Sequence, residues 1–466
     1  MLIKSFSVRP LIVKSLFTAT LFMALLIAGC GGGDQPLLSS MLKSKIDGEL
    51  GALVNDSARP LSSLSVVAVR NGDVVYEGQF GMRSIENKLP ADSNTLYRIA
   101  SISKAVTAIG FMKLVDKGSV NLDADASTYL GFQLRNPTFA QDVITPRMLL
   151  SHTTSLRDPQ DLLALAVGQD LATALMQTDS ASGNYPYWAG DTAKRPSSQF
   201  FTYANVNFVV LATIIEKVSG QRFDQYMVNE VFKPLNIKAG YYPAGNLAAS
   251  DYTNLSTLYR KRPDGGTTWD PTGSWFPQGP DRTGVMTPEI ANLASYVPGS
   301  NAGVFGPQGN LRITARGLAT LMQLLMNSGT LNGVTILKAD TVTLMKSPQW
   351  SYNGSTTAPN GDTYSDLFFK WGLGLQVFTD RGGSAGYGDR VGSAAGGFTG
   401  VGHLGEAYGL LSGFIFDPVT KNGMIYVIGG LGADPNGYLG SYSAFYGWEE
   451  AILRPLYNRA ILQSDT

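Results

Sequence analysis

Short apolar runs rich in strand-forming residues and bounded by turn residues lie near both ends of the chain and predict β-strands. The segment "SLSVVAVRNGDVVYEGQFG" (63–81) contains two such runs, joined at Asn71 and Gly72, a pair typical of a tight hairpin turn. Near the other end the runs are "WGLGLQVF" (371–378), "GLLSGFIFDP" (409–418) and "NGMIYVIGG" (422–430). We therefore expect a mainly antiparallel sheet to which both ends of the chain contribute.

Hydrophobic residues at helical spacing predict the layers that cover this sheet. In "SMLKSKIDGELGALV" (40–54), we expect Met41, Ile46, Leu50 and Leu53 on one stripe. Helices are also predicted in "NFVVLATIIEKVSG" (207–220), "TARGLATLMQLLMNSG" (314–329) and "AFYGWEEAILRPLYNRA" (444–460). The predicted fold class is α+β, an antiparallel sheet flanked by helices with an inserted, mostly helical domain.

Sheet-forming and helix-forming segments divide the chain into two predicted domains. Residues 38–140 and 305–466 form the sheet domain, and residues 141–304 form the mostly helical domain. Within the helical domain, "RPDGGTTWDPTGSWFPQGP" (262–280) is too long for a simple connector. Long irregular loops of this kind are often binding surfaces, so we expect it on the substrate side.

The first 29 residues have the layout of a secretory signal peptide, with a basic start and the apolar run "LFTATLFMALLIAG" (16–29). The chain's only cysteine, Cys30, follows this run directly and resembles the acylated cysteine of a bacterial lipobox. We expect residues 30–37 to be a flexible leash and Cys30 to be a lipid anchor to the membrane of the cell envelope, on the outer-membrane or periplasmic side in a Gram-negative cell. The alternative is an ordinary signal peptide with a chance cysteine.

Charge and composition limit the classes of partner that the chain is expected to bind. Basic and acidic residues are equal at 36 each, and no basic run of the kind that grips nucleic acid is present. The two histidines, His152 and His403, lack neighbouring cysteines or paired carboxylates at ligand spacing, so neither a metal site nor a cofactor is predicted. We expect a monomer that acts on a small molecule or a short peptide.

The most informative chemistry lies in "RIASISKAVTA" (98–108), where two serines stand beside one lysine. An apolar helical stripe begins here, which places Ser101 at the start of a helix. Residues three apart share a helix face, so Lys104 lies beneath Ser101, whereas Ser103 points away. A semi-buried lysine at a positive helix end loses its proton readily and can accept one from an alcohol. Ser101 is therefore the predicted nucleophile.

Two later motifs extend this arrangement. "FFTYANVNF" (200–208) places Tyr203, which can move a proton, and Asn205, which can hold a substrate carbonyl or the lysine, at another helix start. His403 and Gly405 stand in "GHLG" (402–405), shortly before a β run. Ser-x-x-Lys, Tyr-x-Asn and His-x-Gly in this order resemble the serine β-lactamase and D,D-peptidase superfamily, in the branch with class C β-lactamases, D-amino-acid peptidases and type VIII esterases. The resemblance covers roughly residues 45–460.

The resemblance implies a role for each motif residue. Ser101 is the nucleophile, Lys104 its activator, Tyr203 the general base and acid, and Asn205 a substrate-binding amide. The backbone N–H groups of Ser101 and Glu406 are the expected oxyanion hole.

The resemblance also places His403 and Gly405 in the substrate-binding pocket. As an imidazolium, His403 is expected to hold a substrate carboxylate, with its pKa raised by nearby Glu406. Many relatives have Lys-Thr-Gly where this chain has His403-Leu404-Gly405, and His-x-Gly is closer to the peptidase side of the branch. Glu406 is an unexpected acid beside the oxyanion position, and Gly317 stands where the family often has an acid.

The resemblance implies a serine hydrolase that cleaves an ester or amide through an acyl-enzyme on Ser101. A D-amino-acid peptidase or carboxypeptidase and a carboxylesterase fit best. A β-lactamase and a non-catalytic penicillin-binding-like envelope protein stay as alternatives.

Three other features are expected to be structural. "GGSAG" (382–386) matches the Gly-x-Ser-x-Gly nucleophile motif at Ser384, but no helical period follows it, so a loop is predicted. "GVGHLG" (400–405) matches a dinucleotide-binding pattern, but it leads into a strand. His152 in "LLSHTTSL" (149–156) is expected to support the site rather than to act in it.

Overall fold

Strands from both ends of the chain lie side by side at the centre of the molecule. The computed structural model describes residues 38–159, 166–180, 182–263, 266–279, 281–285 and 289–465. Its strands are β1 (Ser63–Arg70), β2 (Asp73–Ser84), β3 (Leu89–Pro90), β4 (Tyr97–Arg98), β5 (Ala239–Gly240), β6 (Leu258–Arg260), β7 (Phe276–Gln278), β8 (Arg312–Ile313), β9 (Thr330–Leu331), β10 (Val334–Thr335), β11 (Trp350–Ser351), β12 (Lys370–Trp371), β13 (Gln376–Phe378), β14 (Gly400–Ala407), β15 (Leu410–Asp417), β16 (Asn422–Ile428) and β17 (Gly430–Leu431).

The helices are α1 (Ser40–Val54), α2 (Ile102–Asp116), α3 (Ser127–Leu130), α4 (Pro146–Leu150), α5 (Leu171–Leu175), α6 (Val206–Ser219), α7 (Phe223–Met227), α8 (Pro243–Asn246), α9 (Ala315–Met326), α10 (Ala339–Lys346) and α11 (Gly447–Pro455). Two π-helical turns, Val228–Phe232 and Leu456–Ile461, extend α7 and α11.

Nine strands form the central sheet, in the order β11-β12-β13-β14-β15-β16-β1-β2-β3. The N-terminal strand β1 pairs antiparallel with β16 from the C-terminal part, with Leu64 opposite Ile428. The predicted hairpin between β1 and β2 is confirmed. Its two turn residues, Asn71 and Gly72, have φ values of 54° and 93°, as a type I′ turn requires.

Helices cover both faces of this sheet. Alternate residues of each strand point to opposite faces, so neighbouring residues of one strand belong to different cores. On β1, Val67 belongs to a core shared with α2, α6 and α9. Its neighbour Val66 belongs to a second core, shared with α1 and α11. The predicted α+β fold, an antiparallel sheet between helix layers, is confirmed.

The helix predicted at residues 40–54 has the expected bounds, but one residue of its predicted stripe is wrong. Met41 is 54% exposed, and the buried residues are Leu42, Ile46, Leu50 and Val54. These four recur at intervals of four residues, which keeps them on one helix face. Met41 lies outside that series and therefore faces solvent.

Helices α2 and α6 lie inside the molecule rather than on its surface. Both are buried along nearly their whole length, and their side chains belong to the same core. A helix that is apolar on all sides is typical of such a position. The starts of these two helices hold the Ser-x-x-Lys and Tyr-x-Asn motifs, so the interior of the fold positions the candidate site.

Residues Leu38–Thr466 form one compact unit. Residues 141–304 contain α4 to α8 and the short strands β5 to β7. Their separation as a domain of their own stays a prediction. The predicted signal peptide, the predicted leash and Cys30 lie outside the described residues, and no helix in the described part is long and apolar enough to cross a membrane.

Candidate active site

Ser101 stands at the N-terminal end of α2, above Lys104, as the sequence predicts. The lysine Nζ lies 2.9 Å from the serine Oγ. Ala100, which precedes the serine, has a φ of 46°, a left-handed conformation that costs energy in a residue with a Cβ. Ser103 points elsewhere: it is buried, and its Oγ accepts a hydrogen bond from the Leu311 N–H at 3.1 Å.

Lys104 is completely buried, at 0% exposure, and contacts three uncharged oxygens. Besides Ser101 Oγ, its Nζ lies 2.7 Å from Asn205 Oδ1 and 3.0 Å from the Gln308 carbonyl oxygen. Burial lowers the pKa of Lys104 to about 7, against the charge of Asp158, which acts to raise it. Charged and neutral lysine are therefore both populated near neutral pH.

The three contacts suit a lysine that exchanges a proton with the serine. A carbonyl or amide oxygen can only accept a hydrogen bond, so Asn205 and Gln308 each take one N–H of Lys104. The third position faces Ser101. It holds an N–H when the lysine is charged and a lone pair when the lysine is neutral, and only the lone pair can accept the serine proton.

Asp158 is a further charged residue at the site, which the sequence analysis missed. Its Oδ2 accepts hydrogen bonds from the backbone N–H of Asn205 at 2.7 Å and from the Asn205 side-chain amide at 2.8 Å. Its Oδ1 accepts from the Val206 N–H at 3.0 Å. Asp158 thus caps α6 from 47 positions earlier in the chain, a distance at which no local capping pattern gives a signal.

Tyr203 lies on the other side of the lysine. Its ring centre is 4.9 Å from Lys104 Nζ, and it stacks on His152 with 4.6 Å between ring centroids. Burial raises the pKa of Tyr203 well above its ordinary value, although the Ser101 hydroxyl acts to lower it. Tyr203 is therefore a neutral phenol near neutral pH, which can donate a proton but cannot begin the reaction as a tyrosinate base.

His152 supports the Tyr203 loop, in keeping with the expected structural role. Its Nδ1 accepts a hydrogen bond from the Ala204 N–H at 3.1 Å, and its carbonyl oxygen accepts from the Thr202 N–H at 3.0 Å. Burial is the main reason that the pKa of His152 lies well below its ordinary value. His152 is thus a neutral ring that holds the loop in place.

Strand β14 approaches the nucleophile through Gly405. A Cβ at this position would lie 2.6 Å from the Ile99 carbonyl oxygen and 3.1 Å from the Ser101 nitrogen, so a side chain has no room. Glu406, the next residue, pairs with Leu411 of β15 and is exposed. The oxyanion hole formed by the Ser101 and Glu406 N–H groups stays a prediction.

His403 corrects one expectation about the site. Burial, followed by the charge of Lys104, lowers the pKa of His403 to about 3, whereas the sequence analysis expected Glu406 to raise it. The side chain is 3% exposed, and its Nδ1 lies 2.6 Å from the Leu404 carbonyl oxygen. Because that oxygen can only accept, Nδ1 carries the proton and Nε2 presents a lone pair. His403 is therefore neutral and is not an imidazolium anchor for a carboxylate.

Ser101, Tyr203 and His403 line the same pocket, which has a volume of about 370 Å³. Its lining is Ser101, Tyr203, Asn205, Tyr364, Leu367, Phe368, Gln376, His403, Leu404, Gly405, Glu406, Leu411, Ala444, Phe445, Tyr446 and Glu449. The long segment expected on the substrate side contributes Arg262, Thr267 and Trp269 to a neighbouring pocket of about 470 Å³, which shares Glu406 with the first. The aromatic wall from residues 364–368 and 445–446 had no sequence motif to mark it.

The competing motifs are structural, as predicted. Ser384 lies in an exposed loop with no helix after it, so it has no nucleophile elbow. The pattern at 400–405 forms the first part of strand β14 and does not open a helix.

Fold and site together define a protein of the β-lactamase and transpeptidase architecture. The sequence profile of the family described as "Beta-lactamase" matches residues 52–441, and the chain belongs to this family of serine hydrolases. Among characterised relatives, Penicillin-binding protein 4* of Bacillus subtilis (strain 168) is 30% identical over 177 residues, which are 36% of each protein. Protein flp of Staphylococcus aureus (strain N315) is 28% identical over 173 residues, 37% of this chain and 33% of that protein. The matched stretch spans about a third of the length of these relatives.

Solved structures agree on the fold. The octameric penicillin-binding protein homologue from Pyrococcus abyssi has a TM-score of 0.59 at 19% identity, over 90% of this chain and 81% of that one. D-amino acid amidase from Ochrobactrum anthropi SV3, complexed with L-phenylalanine, has a TM-score of 0.58 at 18% identity, over 90% and 96% of the two chains. At these identities the likeness shows the fold alone.

The protonation of both histidines is directly measurable, because the chain has only two. With both pKa values lowered by burial, neither imidazole gains a proton between about pH 5 and 8, the range in which an ordinary histidine titrates. We expect the ring C–H signals of both histidines in a proton–carbon NMR titration to stay constant over this range, with His152→Asn and His403→Asn variants assigning them. A His403 signal with a midpoint near the ordinary value of about 6.5 would contradict the corrected assignment.

Proposed function

We propose that this chain hydrolyses an ester or amide through an acyl-enzyme on Ser101. The observation that carries the proposal is the buried Lys104, held by Asn205 and Gln308 with its third position facing the serine. A lysine with a pKa of about 7 can serve as a general base near neutral pH, because its base and acid forms coexist there.

Acylation begins with neutral Lys104. Ser101 Oγ attacks the substrate carbonyl carbon while its proton passes to Lys104 Nζ, and the carbonyl π electrons move onto the oxygen. The resulting oxyanion lies against the predicted N–H donors of Ser101 and Glu406, where preorganised donors stabilise developing charge.

Tyr203 is suited to the second half of acylation. When the bond between the carbonyl carbon and the leaving group breaks, the leaving group takes the phenolic proton of Tyr203. The proton that Lys104 took from Ser101 then passes to the Tyr203 phenolate, which restores both side chains. In deacylation, water attacks the acyl carbonyl carbon and gives a proton to Lys104. The bond between this carbon and Ser101 Oγ then breaks, the serine oxygen takes the phenolic proton of Tyr203, and the proton on Lys104 replaces it.

The pocket favours substrates without a carboxylate beside the scissile bond. His403 is neutral and offers a lone pair, which attracts donors and not anions. Glu406 adds an acid at the rim, and Phe368, Leu404 and Phe445 supply apolar surface. The carboxypeptidase alternative thereby loses the imidazolium on which it depended. A neutral ester or amide with an apolar group is the substrate class we propose.

A panel assay of the purified protein tests this proposal. We expect p-nitrophenyl esters and neutral amides to be cleaved with a higher kcat/KM than a D-Ala-D-Ala peptide or a chromogenic cephalosporin, since the last two carry carboxylates. His403→Lys places a cation in the pocket and should lower KM for the two anionic substrates. The difference in kcat/KM between neutral and anionic substrates should therefore become smaller. A preference for the anionic substrates in the wild type contradicts the proposed substrate class.

The nucleophile is tested with the same assay. Ser101→Ala should abolish both hydrolysis and covalent labelling by a fluorophosphonate, because no other hydroxyl contacts Lys104 Nζ among the described residues. Ser384→Ala is the matched control, and we expect wild-type rates from it because Ser384 lies in an exposed loop. Absence of labelling and of turnover on the whole panel would favour the non-catalytic envelope protein.

We also propose that the protein is anchored to the cell envelope by acylation of Cys30. Support comes from the signal-like residues 1–29 and from the position of this single cysteine directly after them. In a Gram-negative host, the full-length protein should partition with the membrane fraction and Cys30→Ser should release it. An unmodified Cys30 by intact-mass measurement of the mature protein contradicts the anchor.

A further inference from the structure

Asp158 has both carboxylate oxygens engaged at the junction of the two catalytic motifs. One oxygen accepts the Val206 N–H, and the other accepts both the backbone N–H and the side-chain NH₂ of Asn205. Asp158 does not line the pocket, and its hydrogen bonds go to Asn205 and Val206 rather than to Ser101. Any effect of these hydrogen bonds on the reaction therefore passes through Asn205, the residue that Asp158 holds.

The contact fixes which way round the Asn205 amide stands. A carboxylate can only accept, so the Asn205 NH₂ must face Asp158, and the Oδ1 must then face Lys104, 2.7 Å from its Nζ. Reversing the amide would set an NH₂ group against the lysine and a carbonyl oxygen against the carboxylate. Both reversed contacts are repulsive. The carboxylate of Asp158 therefore determines that Asn205 presents its oxygen, and not its NH₂, to Lys104.

We propose that Asp158 is a positioning residue for catalysis, which holds the Asn205 amide so that the reactive position of Lys104 points at Ser101. This inference rests on the proposed function, since it assigns a task within acyl transfer. It goes beyond capping of α6, which the two backbone contacts alone would satisfy.

Asp158 also differs electrostatically from the other groups around Lys104. Among the described residues, the titratable side chains that face the lysine are Tyr203, His152, His403 and Asp158. The tyrosine and both histidines are uncharged near neutral pH, because burial shifts their pKa values in the direction of the neutral form. The carboxylate of Asp158 is the group that opposes loss of the lysine proton, so removing its charge lowers the pKa of Lys104 further.

The test variant is Asp158→Asn, read out by the rate of Ser101 labelling with a fluorophosphonate. The substitution leaves one acceptor oxygen for the three N–H groups of Asn205 and Val206, so the Asn205 amide is no longer held in one orientation and can meet Lys104 with its NH₂. We expect the maximal labelling rate to fall about 10- to 100-fold, the usual effect of misplacing a reacting group by about 1 Å, with the probe's binding constant little changed. The acid limb of the pH profile should move to lower pH, because neutral lysine is needed and its pKa is lower without the carboxylate.

Asp170→Asn is the matched control for the loss of a helix cap. Asp170 caps α5 by accepting from the Thr173 N–H at 3.0 Å and does not line the pocket. We expect it to lower the melting temperature about as much as Asp158→Asn while leaving the labelling rate and the acid limb unchanged. A lower rate for Asp158→Asn with an unmoved acid limb, or wild-type values for both, overturns the inference.

The double variant Asp158→Asn with Asn205→Asp keeps the test valid if the single variant does not fold. It exchanges donor and acceptor across the same pair and preserves the total charge, so an acceptor again faces Lys104. Because a carboxylate then contacts the lysine, we expect its acid limb at higher pH than in the wild type, with measurable labelling. An acid limb at or below the wild-type position overturns the inference. Absence of labelling in the wild type, by contrast, contradicts the proposed function itself.

Discussion

The site depends on one lysine that lies in the hydrophobic core with three uncharged oxygens around it. Taking an ammonium group out of water is costly, and the protein has two ways to reduce the cost: hydrogen bonds to the charged form or loss of the proton. The contacts of Lys104 with Asn205, Gln308 and Ser101 supply the first. Burial makes the second available near neutral pH. The same side chain can therefore both hold and release a proton where the serine needs it.

The rest of the fold serves to hold that lysine in register with its partners. Helix α2 carries Lys104 through the core and Ser101 at its start, so neither can move without disturbing the packing of α2 against α6. Strand β14 closes the other side, and Gly405 allows its backbone to approach the Ser101 nitrogen more closely than any side chain would permit. The strained φ of Ala100 is held by these surroundings, as expected of a turn that presents a reactive group.

Local sequence pattern was enough for several elements and for the central pair, but the run predicted at 371–378 contains the end of β12, a turn and β13. The β1–β2 hairpin, α1 and the contact between Ser101 and Lys104 all follow from spacings of a few residues. Contacts across long separations had no such signal: Gln308 approaches Lys104 through a backbone carbonyl 204 positions away, and any residue type could supply that oxygen. The protonation of His403 was mispredicted because it depends on burial, which the residues beside it in the sequence do not reveal.

The pKa of Lys104 tests the account most directly. Protein labelled with carbon-13 at the lysine side chains can be titrated by NMR, following the Cε signals that report the charge of each ammonium group. The account predicts one signal with a midpoint near 7, absent from the spectrum of Lys104→Met. A Lys104 signal with a midpoint near the model-peptide value of about 10.4 would contradict the account, because the serine would then have no neutral lysine to accept its proton.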